Sequence, residues 1–373
     1  MKKLKNFNKF DRYILISDIH LGVRNDSLEW LENIENYFNN FLIPTVKDEL
    51  KYGNVAIIIA GDIFDNRQRL DINTLNVAQD IFDNILAIDK SIMIYSIIGN
   101  HDLYRKKTRT VTSLKALRSD RFVIINELSE GITKNNEKFL FIPWVGNSKQ
   151  ETEILREHSD YNYVIMHSDI SGGVYDNGRQ IINGANISVS SAKRVYSGHI
   201  HKAQVNKNLT YIGSPYHLSR SDINNKKQLI VLYYSEDNTI LQEKFILNNY
   251  SPRFVRLRLE EILNLSLEEL TKIIKNNYCD ILVKDCDIKE FSVAKFINAI
   301  AESGYKKVEI ITDKNEFSDT NEKIIKDNET IKNVSISEIV EETINNMSGI
   351  SKKDKKNLLQ MNKLYFAMAS SEN

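Results

Sequence analysis

The sequence predicts an α/β (α+β) fold in which two sheets pack together between helices. Three short apolar runs, rich in β-branched residues, lie at residues 12–17, 55–60 and 92–97. Nearly continuous runs of this kind are typical of strands buried on both faces. Segments with helical spacing separate them, which gives a β-α-β-α-β order and favours parallel pairing.

The connecting segments keep the spacing of amphipathic helices. Apolar residues from Leu31 to Leu42 form the first, and Pro44 is expected to break or kink it. Apolar residues from Leu75 to Leu86 form the second. From Phe122 onward the pattern changes to short strands, and a second sheet packed on the first explains this change. These strands are predicted at residues 122–125, 138–142, 161–166, 194–197, 209–212 and 229–234.

The length of 373 residues predicts two or three domains. We expect a large core at residues 1–250 and a small β-α-β unit at 251–312, built from strands at 278–284 and 306–312 around a helix. A polar linker is expected at 313–334 and two amphipathic helices at 335–373. Each of those helices follows a capping-box pattern, Ser335-x-x-Glu338 or Ser351-x-x-Asp354.

Composition excludes several classes of protein. The apolar runs are far shorter than the roughly 20 residues that cross a bilayer, and no apolar signal segment follows the basic N-terminus. Two cysteines cannot form a disulfide framework or a zinc knuckle. We therefore expect a protein of a reducing, cytoplasmic compartment with no membrane partner.

The charge is balanced overall, at 50 basic and 50 acidic residues, but it is unevenly distributed. Residues 177–235 contain eight basic residues and one acid, and residues 101–121 contain seven basic residues and two acids. Local positive fields favour a phosphate-bearing partner. The alternative is that both stretches are ordinary solvated faces.

Five polar motifs directly follow predicted strands, where the carboxyl ends of strands line a ligand crevice. Their aspartates, asparagine and histidines offer oxygen and imidazole ligands without thiolate, which suits Mn²⁺, Fe²⁺ or Zn²⁺. An aspartate can bridge two ions, and two ions about 3.5–4 Å apart stabilise the attacking and leaving oxygens of a phosphoryl displacement. Each motif alone is weak, but the ordered set is specific. The set is Asp18-Ile-His20, Gly61-Asp62, Gly99-Asn100-His101-Asp102, His167 and Gly198-His199-Ile-His201.

With these motifs the chain resembles the calcineurin-like metallophosphoesterases and, among them, the SbcD-type nucleases of double-strand-break repair. Its length and terminal helices are most similar to the phage and viral recombination members. The resemblance implies a four-layer β-sandwich flanked by helices, with a capping domain and a C-terminal helix pair. The segments that carry it are SDIHLG at 17–22, GDIFD at 61–65, GNHD at 99–102, FIPW at 141–144, SGHIH at 197–201 and YIGSPYHLS at 211–219.

The resemblance also implies the roles of site residues, with Mn²⁺ as the preferred ion. His101 would protonate the leaving oxygen or stabilise charge, and Asp65 is hypothesised to orient His101. The alternative is that Asp65 only caps the following turn. The ligands of the first ion would be Asp18, His20, Asp62 and His201. The ligands of the second would be Asp62, Asn100, His167 and His199.

Further candidates concern DNA and protein partners. The 251–312 unit would cap a DNA cleft, and the 335–373 helices would dock on an SbcC-type ABC ATPase in a heterotetramer that contains a homodimer. Alternatively, the helix pair folds back on its own domain or joins a homodimer. For His217, a candidate DNA contact, the alternative is that it is an ordinary solvated histidine in a loop. The candidate DNA contacts are Arg105, Lys106, Lys107, Arg109, Lys202 and His217.

We therefore predict a DNA exo/endonuclease that depends on two metal ions and acts in break processing, recombination and replication, in the host cytoplasm if the chain is viral. One alternative is a two-metal phosphatase or cyclic-nucleotide phosphodiesterase, which needs neither the basic loops nor the C-terminal helices. Another is a non-catalytic architectural subunit, and the intact ligand set with His101 weighs against it.

Overall fold

The computed structural model describes residues 1–105, 108–117, 119–234, 241–258, 261–262, 264–283, 307–312 and 356. Contacts divide the chain into two units, Met1–Asp313 and Lys314–Asn373, and nearly all described residues belong to the first. The predicted helix between the two capping strands, the linker, and the C-terminal helices apart from Lys356 lie outside the described residues. No helix in the described part of the chain has the length and apolar content needed to cross a membrane.

The described strands and α-helices alternate from residue 12 to residue 97, and most later strands follow one another without an α-helix between them. The helices are α1 Leu28–Tyr37, α2 Ile43–Leu50, α3 Ile72–Ile88, α4 Ser148–Glu157 and α5 Leu267–Ile274, with a π-helical turn at Phe38–Leu42. The strands are β1 Lys2–Lys3, β2 Arg12–Ile16, β3 Val55–Ile59, β4 Met93–Ile97, β5 Leu103–Arg105, β6 Thr108–Thr112, β7 Phe122–Ile125, β8 Ser129–Ile132, β9 Lys138–Ile142, β10 Tyr163–His167, β11 Arg194–Gly198, β12 Gln204–Asn206, β13 Leu209–Tyr211, β14 Gln228–Tyr234, β15 Leu241–Leu247, β16 Phe254–Arg258, β17 Tyr278–Val283 and β18 Lys307–Thr312.

Two large sheets form the centre of the molecule and confirm the predicted fold class. The first has the order β15-β14-β2-β3-β4-β7, and its strands β2, β3, β4 and β7 are parallel. The second has the order β1-β8-β9-β10-β11-β13-β12, and β9, β10, β11 and β13 are parallel. All nine strands predicted for this region are present, with ends that differ by two residues at most.

Alternate side chains of the strands fill three apolar layers, because successive residues point to opposite faces. Tyr13 of β2 and Phe139 of β9 pack face to face between the sheets, with ring centroids 5.8 Å apart. Ile14 and Ile57 lie on the outer face of the first sheet, under α1, α2 and α3. Leu155 of α4 covers the outer face of the second sheet. The result is a four-layer sandwich of helices, two sheets and helices.

The predicted break at Pro44 is displaced upstream. Pro44 lies in the first turn of α2, which continues directly from the helical backbone of the preceding residues. The irregularity is instead the π-helical turn at Phe38–Leu42, which joins α1 to α2. Phe38 and Leu42 are both fully buried there, so the extra residue in the turn keeps both apolar side chains on the core face.

The unit predicted at residues 251–312 contains more strands and helices than predicted. Its sheet, called the capping sheet below, has three parallel strands. β17 pairs with β18 as predicted, and β16, which was not predicted, pairs with the other side of β17. The helix α5 was also missed, although Ser266 and Glu269 form a complete capping box at its start.

Aromatic stacking joins the capping sheet to α1 of the core. The ring of Trp30 stacks on Tyr278 at 5.6 Å and on Phe254 at 6.0 Å. The guanidinium of Arg24 lies 4.7 Å from the Trp30 ring, and it donates to the Leu218 carbonyl at 3.3 Å. Arg24 belongs to a left-handed turn just after the first polar motif, so the capping sheet is attached beside that motif.

Candidate metal and catalytic site

The polar motifs converge where the carboxyl ends of strands from the two sheets face each other. Asp18, Asp62 and Asn100 follow β2, β3 and β4 of the first sheet. His167 ends β10, and His199 follows β11, both in the second sheet. The site therefore exists only when the two sheets are packed together.

The side chains form two adjacent clusters, in each of which the candidate ligand atoms lie within 4.8 Å of one another. The first contains Asp18, His20 and His201, with the Nε2 atoms of the two imidazoles 3.1 Å apart. The second contains Asp62, His167 and His199. These are six of the seven residues predicted to bind metal.

Asn100 lies in the second cluster, and Asp62 connects the two clusters. The Asn100 Oδ1 atom lies 3.0 Å from His167 Nε2 and 2.8 Å from His199 Nδ1, which places this seventh candidate in the second cluster. The Asp62 Oδ2 atom lies 3.2 Å from His167 Nε2 and 3.9 Å from His20 Nε2 of the first cluster. Buried carboxylates and imidazole nitrogens that face one another in this way can hold divalent cations. When bound, a pair of ions activates water at neutral pH and stabilises charge on phosphate oxygens.

The glycines of the motifs allow the strand ends to approach closely. A Cβ atom at Gly99 would lie 2.2 Å from Asp62 Oδ1, and one at Gly198 would lie 2.1 Å from Ser17 Oγ and 2.7 Å from His167 Nδ1. No larger residue fits at either position without moving a candidate ligand.

Burial and neighbouring charge shift the pKa values within the clusters. Burial, the largest single effect, favours neutral Asp62. The charge and hydrogen bond of His167 together with the charges of His20 and His101 outweigh it, so the pKa of Asp62 falls well below its usual range. Burial also opposes charge on His167, but Asp62 raises the pKa of its imidazole to about 9. Burial and the neighbouring His20 lower the pKa of His201. In the metal-free site, Asp62 is therefore a carboxylate anion, and it stabilises the protonated form of His167.

The predicted contact between Asp65 and His101 is present, but it uses a different atom. The Nδ1 atom of His101 lies 2.6 Å from the main-chain carbonyl oxygen of Asp65, not from its carboxylate. The Asp65 carboxylate lies 2.9 Å from Nδ1 of His20 instead. In the turn that follows, Oδ1 of Asn66 accepts from the amide of Gln68.

Asp102 was not predicted as a site residue, although it ends the GNHD motif. Its buried carboxylate accepts from the backbone amides of Asp62 (2.9 Å), Ile63 (3.0 Å), Phe64 (3.3 Å) and Gly99 (2.9 Å). It therefore ties the Gly61-Asp62 motif to the Gly99-Asn100 motif. Burial, followed by the charge of Asp62, raises the pKa of Asp102 to about 7.

The candidate DNA contacts occupy different environments. Arg105 is exposed on the short hairpin of β5 and β6, beside the ring of Tyr104. Lys202 is partly exposed, and its amide donates to Asp176 at 2.8 Å. Lys106, Lys107 and the side chain of Arg109 lie outside the described residues.

His217 does not face the solvent, so the prediction that it contacts DNA is wrong. Its side chain is 4% exposed, and its Nδ1 accepts from the amide of Phe254 at 3.2 Å. Burial, aided by the charge of Lys227, lowers the pKa of His217 to about 4. A neutral, buried imidazole that binds β16 of the capping sheet is a structural link. The YIGSPYHLS motif indicated a loop but could not indicate what covers it.

Comparison with known proteins gives a consistent result. The family model for calcineurin-like phosphoesterases matches residues 12–203, about half of the chain. Exonuclease subunit 1 of Enterobacteria phage T4 is 26% identical over 243 residues, which cover 63% of this chain and 67% of the phage protein. Putative phosphoesterase 078R of Invertebrate iridescent virus 3 is 26% identical over 135 residues, which cover 35% of each chain.

Among solved structures, a 5'-nucleotidase precursor from Thermus thermophilus overlaps 64% of this chain and 54% of its own length. The TM-score is 0.34 and the identity 11%, a likeness that supports no functional inference. The family match includes all five polar motifs, and the structure brings their side chains together. The chain belongs to the calcineurin-like phosphoesterase family and is a metal-dependent phosphoesterase.

Proposed function

We propose that the chain is a DNA exo/endonuclease that uses two metal ions and is the catalytic subunit of an SbcC/SbcD-type complex. In this proposal it acts in double-strand-break processing, recombination and replication. The observation that carries the proposal is the pair of ligand clusters on either side of Asp62, with His101 beside them. The similarity to exonuclease subunit 1 of phage T4 favours DNA over small phosphate esters as the substrate.

The proposed ligands are those named by the sequence. Asp18, His20 and His201 hold one ion, and Asn100, His167 and His199 hold the other, with Asp62 between them. We propose Mn²⁺ as the preferred ion, and the mixed oxygen and imidazole donors suit it.

His101 is the proposed proton donor to the leaving oxygen. Its Nδ1 is engaged by the Asp65 carbonyl at 2.6 Å, and a carbonyl can only accept, so Nδ1 carries a proton. That leaves Nε2 as the nitrogen that exchanges a proton with substrate. The amide of His101 donates to Asp62 Oδ1 at 2.8 Å, which keeps the imidazole next to the metal ligands.

The proposed DNA contacts follow the site along the chain. Arg105 lies four residues after His101 on an exposed hairpin, where a guanidinium can reach the phosphate backbone. Lys106, Lys107, Arg109 and Lys202 are proposed with it on the basis of sequence. We further propose that residues 335–373 dock on the ATPase subunit as amphipathic helices.

A digestion of end-labelled DNA with Mn²⁺, Mg²⁺ or Zn²⁺ tests the proposal, with His101→Asn as the matched variant. We expect Mn²⁺-dependent degradation by the wild type and a loss of about 10²- to 10⁴-fold in the variant. Mn²⁺ affinity, measured by titration calorimetry, should not change in the variant, because His101 is not a proposed ligand. Hydrolysis of mononucleotides or cyclic nucleotides with intact DNA would instead establish the phosphatase or cyclic-nucleotide alternative.

A further inference from the structure

We propose that Asp169 and Asp176 are positioning residues that hold His199 and His201 from the side opposite the metal ions. Neither aspartate belongs to the motifs that identify the family. The inference rests on the metal clusters of the proposed function but not on DNA as the substrate.

Two of the four imidazoles have one ring nitrogen inside a cluster and the other bound to an acceptor outside it. His20 directs Nε2 into the first cluster, and its Nδ1 lies 2.9 Å from the Asp65 carboxylate. His167 directs Nε2 toward Asp62 and Asn100, and its Nδ1 donates to the Ala60 carbonyl at 2.7 Å. An outer acceptor of this kind fixes the tautomer and orientation of a metal-binding imidazole.

His199 repeats the pattern with its nitrogens exchanged. Its Nδ1 lies 2.8 Å from Asn100 Oδ1 inside the cluster, and its Nε2 lies 3.6 Å from Asp169 Oδ1 on the outside. That Asp169 oxygen is buried and makes no hydrogen bond with any described residue. A buried carboxylate oxygen without a donor is unfavourable, and the Nε2–H of His199 is a candidate donor directed at it.

His201 has a carboxylate in the corresponding outer place. Its Nε2 faces His20, and its Nδ1 lies 3.9 Å from Asp176 Oδ2. The other oxygen of Asp176 accepts from the Lys202 amide at 2.8 Å, which anchors the carboxylate one residue beyond the ligand.

The hydrogen bonds at His20 and His167, with the proposed contacts at His199 and His201, give each imidazole a tautomer. In this proposal His20, His167 and His201 would offer Nε2 to bound ions, whereas His199 would offer Nδ1. In this proposal Asp169 and Asp176 serve the two imidazoles that follow β11, as Asp65 serves His20.

The test is Mn²⁺ affinity of the full chain, measured by titration calorimetry for Asp169→Ala, Asp169→Asn and Asp176→Ala. Asp160→Ala is the matched control, since its carboxylate is 65% exposed and bound to Lys138 away from the clusters. We expect the two alanine variants to lose about 10- to 100-fold in affinity, while the control matches the wild type. Asp169→Asn keeps an acceptor oxygen and should recover most of the loss.

Two further measurements separate the outcomes. The tautomer of His199, read from long-range ¹H–¹⁵N spectra of the metal-free chain, should change in Asp169→Ala even if that variant is also less stable. Unchanged affinity and an unchanged tautomer would overturn the inference. A wild-type chain that binds no Mn²⁺ would instead refute the metal sites of the proposed function.

Discussion

Replacing Lys227 by methionine tests how a buried ion pair supports the loop that contains the proposed ligand His201. Lys227 and Asp222 are 2% and 1% exposed at their side chains, and their charged atoms are 2.6 Å apart. The ammonium also donates to Ser214 Oγ at 2.6 Å and to the carbonyl of the proposed ligand His201 at 2.9 Å. All three donor positions of the ammonium are thus used.

Removal of one partner leaves the other charge buried and unpaired, which costs about 3–5 kcal/mol. Among the described residues, Lys227→Met leaves the Asp222 carboxylate with the backbone amides of Leu218 and Ser219 as its hydrogen-bond donors. At about 2 °C per kcal/mol for a large domain, we expect the melting temperature to fall by roughly 6–10 °C. Asp222→Asn in the same chain removes the unpaired charge and should restore more than half of the loss.

Differential scanning calorimetry of the full chain measures the effect, with Lys138→Met as the control. The Lys138–Asp160 pair has the same 2.6 Å separation but is 41% and 65% exposed, so its loss should cost less than about 1 kcal/mol. Mn²⁺ affinity should fall in Lys227→Met alone, because the His201 carbonyl loses its donor. A Lys227→Met chain that melts like the control would refute the reasoning.

Two further predictions follow from the site and its surroundings. Burial opposes charge on His167, but Asp62 raises its pKa to about 9. Protonated His167 therefore stabilises the metal-free fold, fully so below pH ~6.5, and this contribution is lost as the pH rises through about 9. Since a metal competes with that proton, Mn²⁺ affinity by calorimetry should rise between pH 6 and 9, and a flat profile would contradict the assignment. Trp30→Ala removes the stack on Phe254 and Tyr278 and should cost about 3–5 kcal/mol. Limited proteolysis should then cut residues 254–283 faster than in the wild type, whereas Trp144→Ala should leave that segment protected.

The sequence predicted those strands whose burial in the folded chain is visible in their own run of apolar residues. Strands such as β2 and β3 are buried on both faces, so nearly every residue is apolar and the strand is visible without its partners. The edge strand β15 and the capping strand β16 were missed, because each has only one buried residue and the others are exposed or partly exposed. Their existence depends on pairing with β14 and β17, which the local sequence does not indicate.

The site was predictable to the extent that its residues follow buried strands. His101 and the seven candidate ligands have that position, and the structure brings them together. Asp169 and Asp176 lie in the long loop after β10, and only the folded chain places them behind His199 and His201. The role of Asp65 shows the same limit, because spacing can suggest a partner but cannot say whether carboxylate or carbonyl makes the contact.

Backbone strain at the ligands indicates that the site is formed by the fold before any ion binds. Asp18, His20, Asp62 and His199 all have positive φ angles, between 52° and 84°, although left-handed conformations cost non-glycine residues about 1–2 kcal/mol each. Backbone hydrogen bonds between the motifs compensate for that cost. His20 N donates to the Asp62 carbonyl at 3.1 Å, and His199 N donates to the Asp18 carboxylate at 3.0 Å. Strain of this kind persists only where the surrounding structure determines it fully. Metal binding to this chain should therefore use a preformed site and need little rearrangement of the backbone.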